Sequence, residues 1–306
     1  MNSLSRGPAA AAAAMFLVGT LAAISSVING YPLYGGQALR YSLAAAILLA
    51  VARARGLGLV RLTPREALLL LSLAATGLVL FNVCVIEATR HASPTLVGTI
   101  VGTVPVVLAL AGPLVARSRP SAQVVAGAVV VVAGASLTTG LGGGSLTGLA
   151  WSVGALACEA CFSLLAMPLL PKLGPIRVSA YTVAVAVPLL LVVGVVADGG
   201  GGVLRMPTPA EATALVYLGT IISAGAFLLW YGALPRLGAD RAGLFAGVLP
   251  VGAIATTVVL GLGAPTATGL GGVAVVIAGL VVGLAPGRLR SRPAPSGRVR
   301  SAGCSG

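Results

Sequence analysis

The chain has 306 residues, of which 58% are hydrophobic and only 8% charged, with a formal net charge of +13. Mean hydropathy is +1.05. So little charge cannot cover the surface of a soluble domain of this length, which excludes a cytosolic globular protein. The positive balance does not point to nucleic acid either, because the basic residues fall between apolar runs and not along one face.

A helix needs about 20 apolar residues to cross the hydrocarbon core. Ten such runs can be placed, at 9–28, 33–52, 66–86, 94–115, 121–139, 148–170, 178–197, 211–233, 241–262 and 266–285. The expected fold class is an all-α integral membrane protein. Residues 1–8 form a short N-terminus, and the first run is long enough to span, so it reads as an uncleaved first helix. The second run carries Arg40. The third begins at Glu66, where negative charge suits the helix dipole, as it does at Glu211 in the eighth. It carries Asn82 and ends near Glu87, with Arg90 and His91 three and four residues on. Glu87 is either their local partner or a group at a cavity mouth.

On the fourth run Thr95, Thr99 and Thr103 recur every fourth residue, among Gly98, Gly102 and Pro105. Buried threonines commonly bond the carbonyl one turn back, so these are helix-bonded or cavity-lining. The glycine-rich linker at 140–147 follows no strand and is not a nucleotide loop. The sixth run holds Cys158 and Cys161, read as small apolar packing groups, as no disulfide framework exists. It also holds Glu159 at its middle, where a carboxylate costs about 2.5–3.5 kcal/mol on insertion scales. Ser152 and Ser163 share its helical face, and Arg40 is its candidate partner. A structural Arg40–Glu159 pair and a substrate- or proton-binding role are the two readings. Asp198 and Asp240 fall in loops. Trp230 and Tyr231 sit near the end of the eighth run, as interface anchors or as cavity residues. The tail at 286–306 is basic and reads as disordered near anionic headgroups. Its Cys304 lies in no prenylation signal.

With the N-terminus inside, 16 of the 19 Arg and Lys residues lie on the inner side, leaving Arg40, Arg90 and Arg205 outside. That asymmetry predicts both termini cytoplasmic in a plasma membrane.

The stretch "GTIVGTVPV" from Gly98 returns as "GLFAGVLPV" from Gly243, 145 residues later. Residues 88–139 align without a gap on 233–284, with 12 of 52 positions identical, including two prolines and four glycines. Two halves of five spans, 9–139 and 148–285, must then enter the membrane from opposite faces. This predicts an inverted repeat with a binding site near the midplane. Gly98 with Gly102, and Gly243 with Gly247, are expected at close helix crossings. Pro105 and Pro250 deprive the carbonyls of Val101 and Ala246 of their usual partners. Such carbonyls are tolerated in hydrocarbon only against protein or cavity water.

The stretches "RYSLAAAILL" from Arg40, "GTVPVVLAL" from Gly102 and "AGAVVVVAGASL" from Ala126 resemble the EamA family of the drug/metabolite transporter superfamily. So do "YGALPRLGADRAGLFAGVLPV" from Tyr231 and "GGVAVVIAGLVVG" from Gly271. The resemblance implies a transporter exporting amino acids, related metabolites or drugs, driven by the proton gradient. Members commonly carry "GE" and a basic residue after the fourth and ninth helices. Here those places read Arg117-Ser118-Arg119-Pro120 and Leu262-Gly263-Ala264-Pro265, so no role passes over from those glutamates.

The resulting expectation is an exporter of an amino acid or related metabolite, working by alternating access, with a proton-coupled organic-cation exporter as the alternative. A membrane-embedded enzyme would need a nucleophile–base pair or metal cluster, and the sequence offers neither. Partners are a small-molecule substrate, the bilayer and the proton as coupling ion; a homodimer is compatible, nucleic acid is not. Neither cofactor nor metal is expected.

Overall fold

The structure, a computed structural model, describes residues 6–21, 24, 26–28, 30–140, 142–197, 202–261, 264 and 266–285. The tail at 286–306, Asp198, Leu262, Gly263 and Pro265 lie outside the described residues. Ten helical segments are numbered here: α1 (Arg6–Gly19), α2 (Leu33–Ala54), α3 (Pro64–His91), α4 (Pro94–Val115) and α5 (Ala122–Thr139), then α6 (Leu146–Leu164), α7 (Leu170–Ala197), α8 (Pro209–Leu237), α9 (Ala239–Val259) and α10 (Ala267–Leu284). Eight are long and apolar enough to cross a membrane; Gly7–Gly19 and Ala122–Thr138 are shorter apolar helices. No strand occurs among the described residues, only an isolated bridge between Ala92 and Gly144.

Helix starts follow local chemistry. Thr63 and Thr208 each open a helix as the first residue of Thr-Pro-x-Glu, and each forms a complete capping box with its glutamate. Ser93, Ser145 and Thr266 cap α4, α6 and α10 with their hydroxyls. The regular part of the first helix runs to Gly19, with Leu21 and Ile24 again helical after a turn at Thr20. There the Thr20 N–H and hydroxyl both turn back to the Leu17 carbonyl, at 3.0 and 2.7 Å. The α7 stretch begins eight residues before the expected start and is broken at Gly174, whose φ of +71° suits glycine.

Both π-helical stretches lie inside long helices, at Ala75–Leu80 in α3 and Leu218–Ala226 in α8. The α4 helix is interrupted at Gly102–Thr103, and α9 narrows to a 3-10 turn at Phe245–Val248.

Packing joins α2 to α7, α4 to α9, and α5 to α10, with α1 against α8 and α3 against α6. The partners run antiparallel. Tyr34 and Gly35 in α2 meet Gly194 of α7 and Val203, whereas Arg177 and Tyr181 in α7 reach Gly58 and Val60 just past the other end of α2. Gly112 meets Asp240 and Gly243 meets Leu108. The α5–α10 crossing is made by glycines: a Cβ on Gly127 would stand 2.8 Å from the Gly279 carbonyl oxygen, and one on Gly134 would stand 2.7 Å from that of Gly272. Small residues let these backbones touch. Outside the spans, Arg205 donates to the Glu211 carboxylate through both Nη groups and lies 4.7 Å from the Tyr31 ring centroid. The adjacent carboxylate raises the Arg205 pKa above its ordinary value.

Candidate functional site

A cavity of about 490 Å³ lies inside the bundle, lined from every helix except α7 and α10. Its wall takes the last turns of α1 and α5, the first turns of α2 and α4, and the middle of α3, α8 and α9. It therefore runs from mid-bundle toward the end that carries the 140–145 linker.

Glu159 and Arg40 both line it. They form no ion pair: the three among the described residues are Glu87–Arg90, Glu66–Lys172 and Glu211–Arg205. Arg40 is 6% exposed and is held elsewhere. Its Nε donates to the Ser223 hydroxyl at 2.6 Å, Nη1 donates to Gln37 at 3.2 Å, and its charge lies 5.2 Å from the Tyr41 ring centroid. Neutral partners thus solvate the guanidinium without cancelling its charge. The Glu159 carboxylate receives no hydrogen bond from the described residues, so its interaction capacity is left to whatever enters the cavity. The structural-pair reading of Arg40 and Glu159 is thereby corrected.

The floor is aromatic. Phe162, one turn after Glu159, lies 4.9 Å from Phe227 and 5.1 Å from Tyr231 between ring centroids. Trp230 lines the cavity, is 4% exposed, and donates its indole N–H to Ser163 at 3.2 Å. Tyr231 is fully buried behind this layer, donating to the Phe162 carbonyl at 3.4 Å. Neither side chain reaches the bundle surface, as an interface anchor must, because both turn into the protein interior. Asn82 lines the opposite wall and donates to the Leu78 carbonyl at the end of the π stretch.

Thr99 lines the cavity, and its single hydroxyl hydrogen is shared between the carbonyls of Gly140, at 2.6 Å, and Thr95, at 2.9 Å. Thr103 does not line it. The break at Gly102 ends the four-residue spacing, and the Thr103 hydroxyl turns to Ile100 at 2.7 Å. Gly98, Gly102 and Pro250 line the cavity, whereas Pro105, Gly243 and Gly247 are packed behind it. The paired glycines also differ. Gly243 and Gly247 press on Leu108 and Val131 of neighbouring helices. A Cβ on Gly98 would meet open space, and one on Gly102 would meet only its own helix, 2.9 Å from the Gly98 carbonyl oxygen. The expected close crossing at Gly98 and Gly102 is not made, because the broken helix opens a wall there instead.

Glu87 lies outside the cavity lining and pairs with Arg90 at 2.6 Å, the side chains being 27% and 65% exposed. Such a pair contributes less than about 1 kcal/mol. Glu87→Ala is therefore expected to leave transport unchanged and the thermal midpoint within about 2 °C of the parent. A greater than tenfold loss of transport would restore it to the site. No group of three His, Cys, Asp or Glu is gathered among the described residues in a way that suits a metal. Gln37, Tyr41, Phe162 and Phe227 are wall residues that sequence reasoning missed. The signal available was spacing: Phe162 and Phe227 each stand three residues from a candidate, Glu159 and Trp230.

Residues 5–140 match the EamA-like transporter family. Over that segment the chain is similar to EamA-like transporters. An uncharacterized transporter of Bacillus subtilis, YetK, is 24% identical over 251 residues, covering 79% of this chain and 76% of that protein. A solved crystal structure superposes with a TM-score of 0.74 at 21% identity, covering 92% of this chain and 97% of the other, and shares its fold. The chain is a multi-pass membrane transporter with an EamA-like segment, and the cavity is its candidate small-molecule site.

Proposed function

We propose that this protein exports an amino acid or a related zwitterionic metabolite by secondary active transport, through alternating access of two inverted five-helix halves. The observation that carries the substrate class is the separate placement of Arg40 and Glu159 on one cavity wall system. A zwitterion brings an anion for the buried guanidinium and a cation for the unpaired carboxylate, and so meets both at once. The aromatic floor suits an apolar side chain.

Inversion of the halves is supported by packing: α2 and α7, α4 and α9, and α5 and α10 occupy equivalent places in the two halves and run antiparallel. An odd number of spans per half requires that. Ten spans in a plasma membrane with both termini cytoplasmic follow from the 16-to-3 charge split. In the cycle, Glu159 holds either a proton or the substrate's ammonium group. Proton entry from one side then releases substrate, and proton loss to the other restores the site.

Counterflow in proteoliposomes tests the substrate class. Vesicles loaded with a mixture of unlabelled amino acids are expected to accumulate labelled amino acid transiently, and those loaded with a quaternary ammonium dye are not. Exchange driven only by the dye would favour the organic-cation reading, which the aromatic floor beside Glu159 also accommodates. For orientation, a cysteine at Ser145 is expected to react with an impermeant maleimide added to intact cells, and one at Ser296 only after lysis. The reverse pattern would invert the topology.

A further inference from the structure

A second pocket, of about 390 Å³, lies away from the transport cavity where α2 ends and α7 begins. Arg53 and Arg177 line it, together with Leu49, Leu57, Leu59 and Tyr181. The 22-residue α2 helix is about 33 Å long, close to the hydrocarbon thickness, so Arg53 in its last turn stands at headgroup depth.

The arginines are only partly used. The Arg53 side chain makes no hydrogen bond among the described residues. Arg177 donates through Nε to the Gly58 carbonyl at 3.0 Å, which fixes the guanidinium and leaves both Nη groups without a described partner. The Tyr181 hydroxyl, accepting from the Val60 N–H at 3.2 Å, ties the intervening loop to α7. No carboxylate lines the pocket, and Glu66 at the start of α3 is already taken by Lys172 at 2.6 Å. Beside the two charges Leu59 is 87% exposed and Leu49 is 39% exposed.

We infer that this pocket binds the phosphate of an anionic phospholipid, with Arg53 and Arg177 gripping the headgroup and Leu49 and Leu59 lying along an acyl chain. Guanidinium groups suit phosphate because their N–H forks match its oxygens, and a basic pocket between helix ends at the cytoplasmic surface sits where anionic headgroups are. The exposed leucines favour the lipid over free phosphate, since an inorganic ion has nothing to lay against them. The site is independent of the transport cavity, and its test does not use transport.

The full chain purified in a neutral detergent is titrated with phosphatidylglycerol, phosphatidylcholine or inorganic phosphate while thermal unfolding is followed. Phosphatidylglycerol near a hundred times its Kd is expected to raise the midpoint by about 5 °C, and the other two by little. Arg53→Gln, which breaks no bond within the protein, is expected to remove most of that rise. Arg53→Lys should retain part of it, and Arg119→Gln, a change at an exposed arginine outside the pocket, all of it. A full response in Arg53→Gln, or an equal response to phosphatidylcholine, would overturn the site. An equal response to inorganic phosphate would make it a free-anion site and overturn the lipid assignment.

Discussion

Glu159→Gln is expected to leave the protein folded, to lower substrate affinity roughly 10- to 100-fold, and to abolish accumulation driven by a pH gradient. The fold does not depend on the charge. A carboxylate near mid-span costs about 2.5–3.5 kcal/mol, and no hydrogen bond from the described residues offsets that cost. A neutral amide of nearly the same shape is therefore no worse for the folded state, and Arg40 loses nothing, because Ser223 and Gln37 hold it. In the proposed cycle, function does depend on the charge. A charge-assisted bond to a substrate ammonium is worth about 1.5–3 kcal/mol, and each 1.4 kcal/mol is tenfold in affinity. Glutamine also neither takes up nor releases a proton, so downhill exchange can persist while coupling cannot. Reconstituted vesicles with an imposed pH gradient, and thermal unfolding of the same preparation, separate the outcomes. A midpoint lowered by more than about 5 °C, with unchanged accumulation per folded molecule, would make Glu159 a structural residue.

Much of this site was legible because charge is rare in such a chain. An acid in the middle of an apolar run and an arginine inside another stand out, and both line the cavity. What was illegible was the path of the backbone between them. Thr99 and Thr103 share a face on a continuous helix, but the interruption at Gly102 separates them. Each π stretch carries a glycine at a close helix approach: a Cβ on Gly77 would stand 2.9 Å from the Phe162 ring, and one on Gly219 would stand 3.0 Å from the Arg40 carbonyl oxygen. No local spacing announces that. The 145-residue sequence match extends further than the glycine–proline pairs suggest. Thr63-Pro64-Arg65-Glu66 and Thr208-Pro209-Ala210-Glu211 keep the same 145-residue offset, and both fold into capping boxes. That match was available in the sequence, upstream of the aligned segment. Aromatic residues mislead for a simpler reason: an apolar run does not say which side chains turn inward, and Trp230 and Tyr231 are buried in the bundle.

The glycines give a sharper expectation than equivalence within a repeat would. Gly134→Leu and its equivalent Gly279→Leu should each prevent recovery of folded, monodisperse protein. A Cβ on Gly134 would stand 2.6 Å from the Val276 backbone nitrogen, and one on Gly279 would stand 2.7 Å from that of Val131. Backbone cannot give way as a side chain can, so α5 and α10 must separate along the crossing. The loss should exceed the about 1–3 kcal/mol usual for overpacking. Gly98 and Gly243 are also equivalent, yet their substitutions should differ. A Cβ at Gly243 meets Leu108 Cβ at 2.8 Å, whereas one at Gly98 meets nothing within 4 Å and projects beside the cavity. Gly243→Ala is thus expected to lower the thermal midpoint by several degrees. Gly98→Ala should leave it within about 2 °C, or raise it slightly, since alanine exceeds glycine in helix propensity by about 1 kcal/mol. Its effect should appear instead as discrimination against bulkier substrates, read from counterflow with a series of increasing side-chain size. Equal thermal losses for Gly98→Ala and Gly243→Ala would mean that Gly98 meets a neighbour after all, and would remove it from the cavity wall.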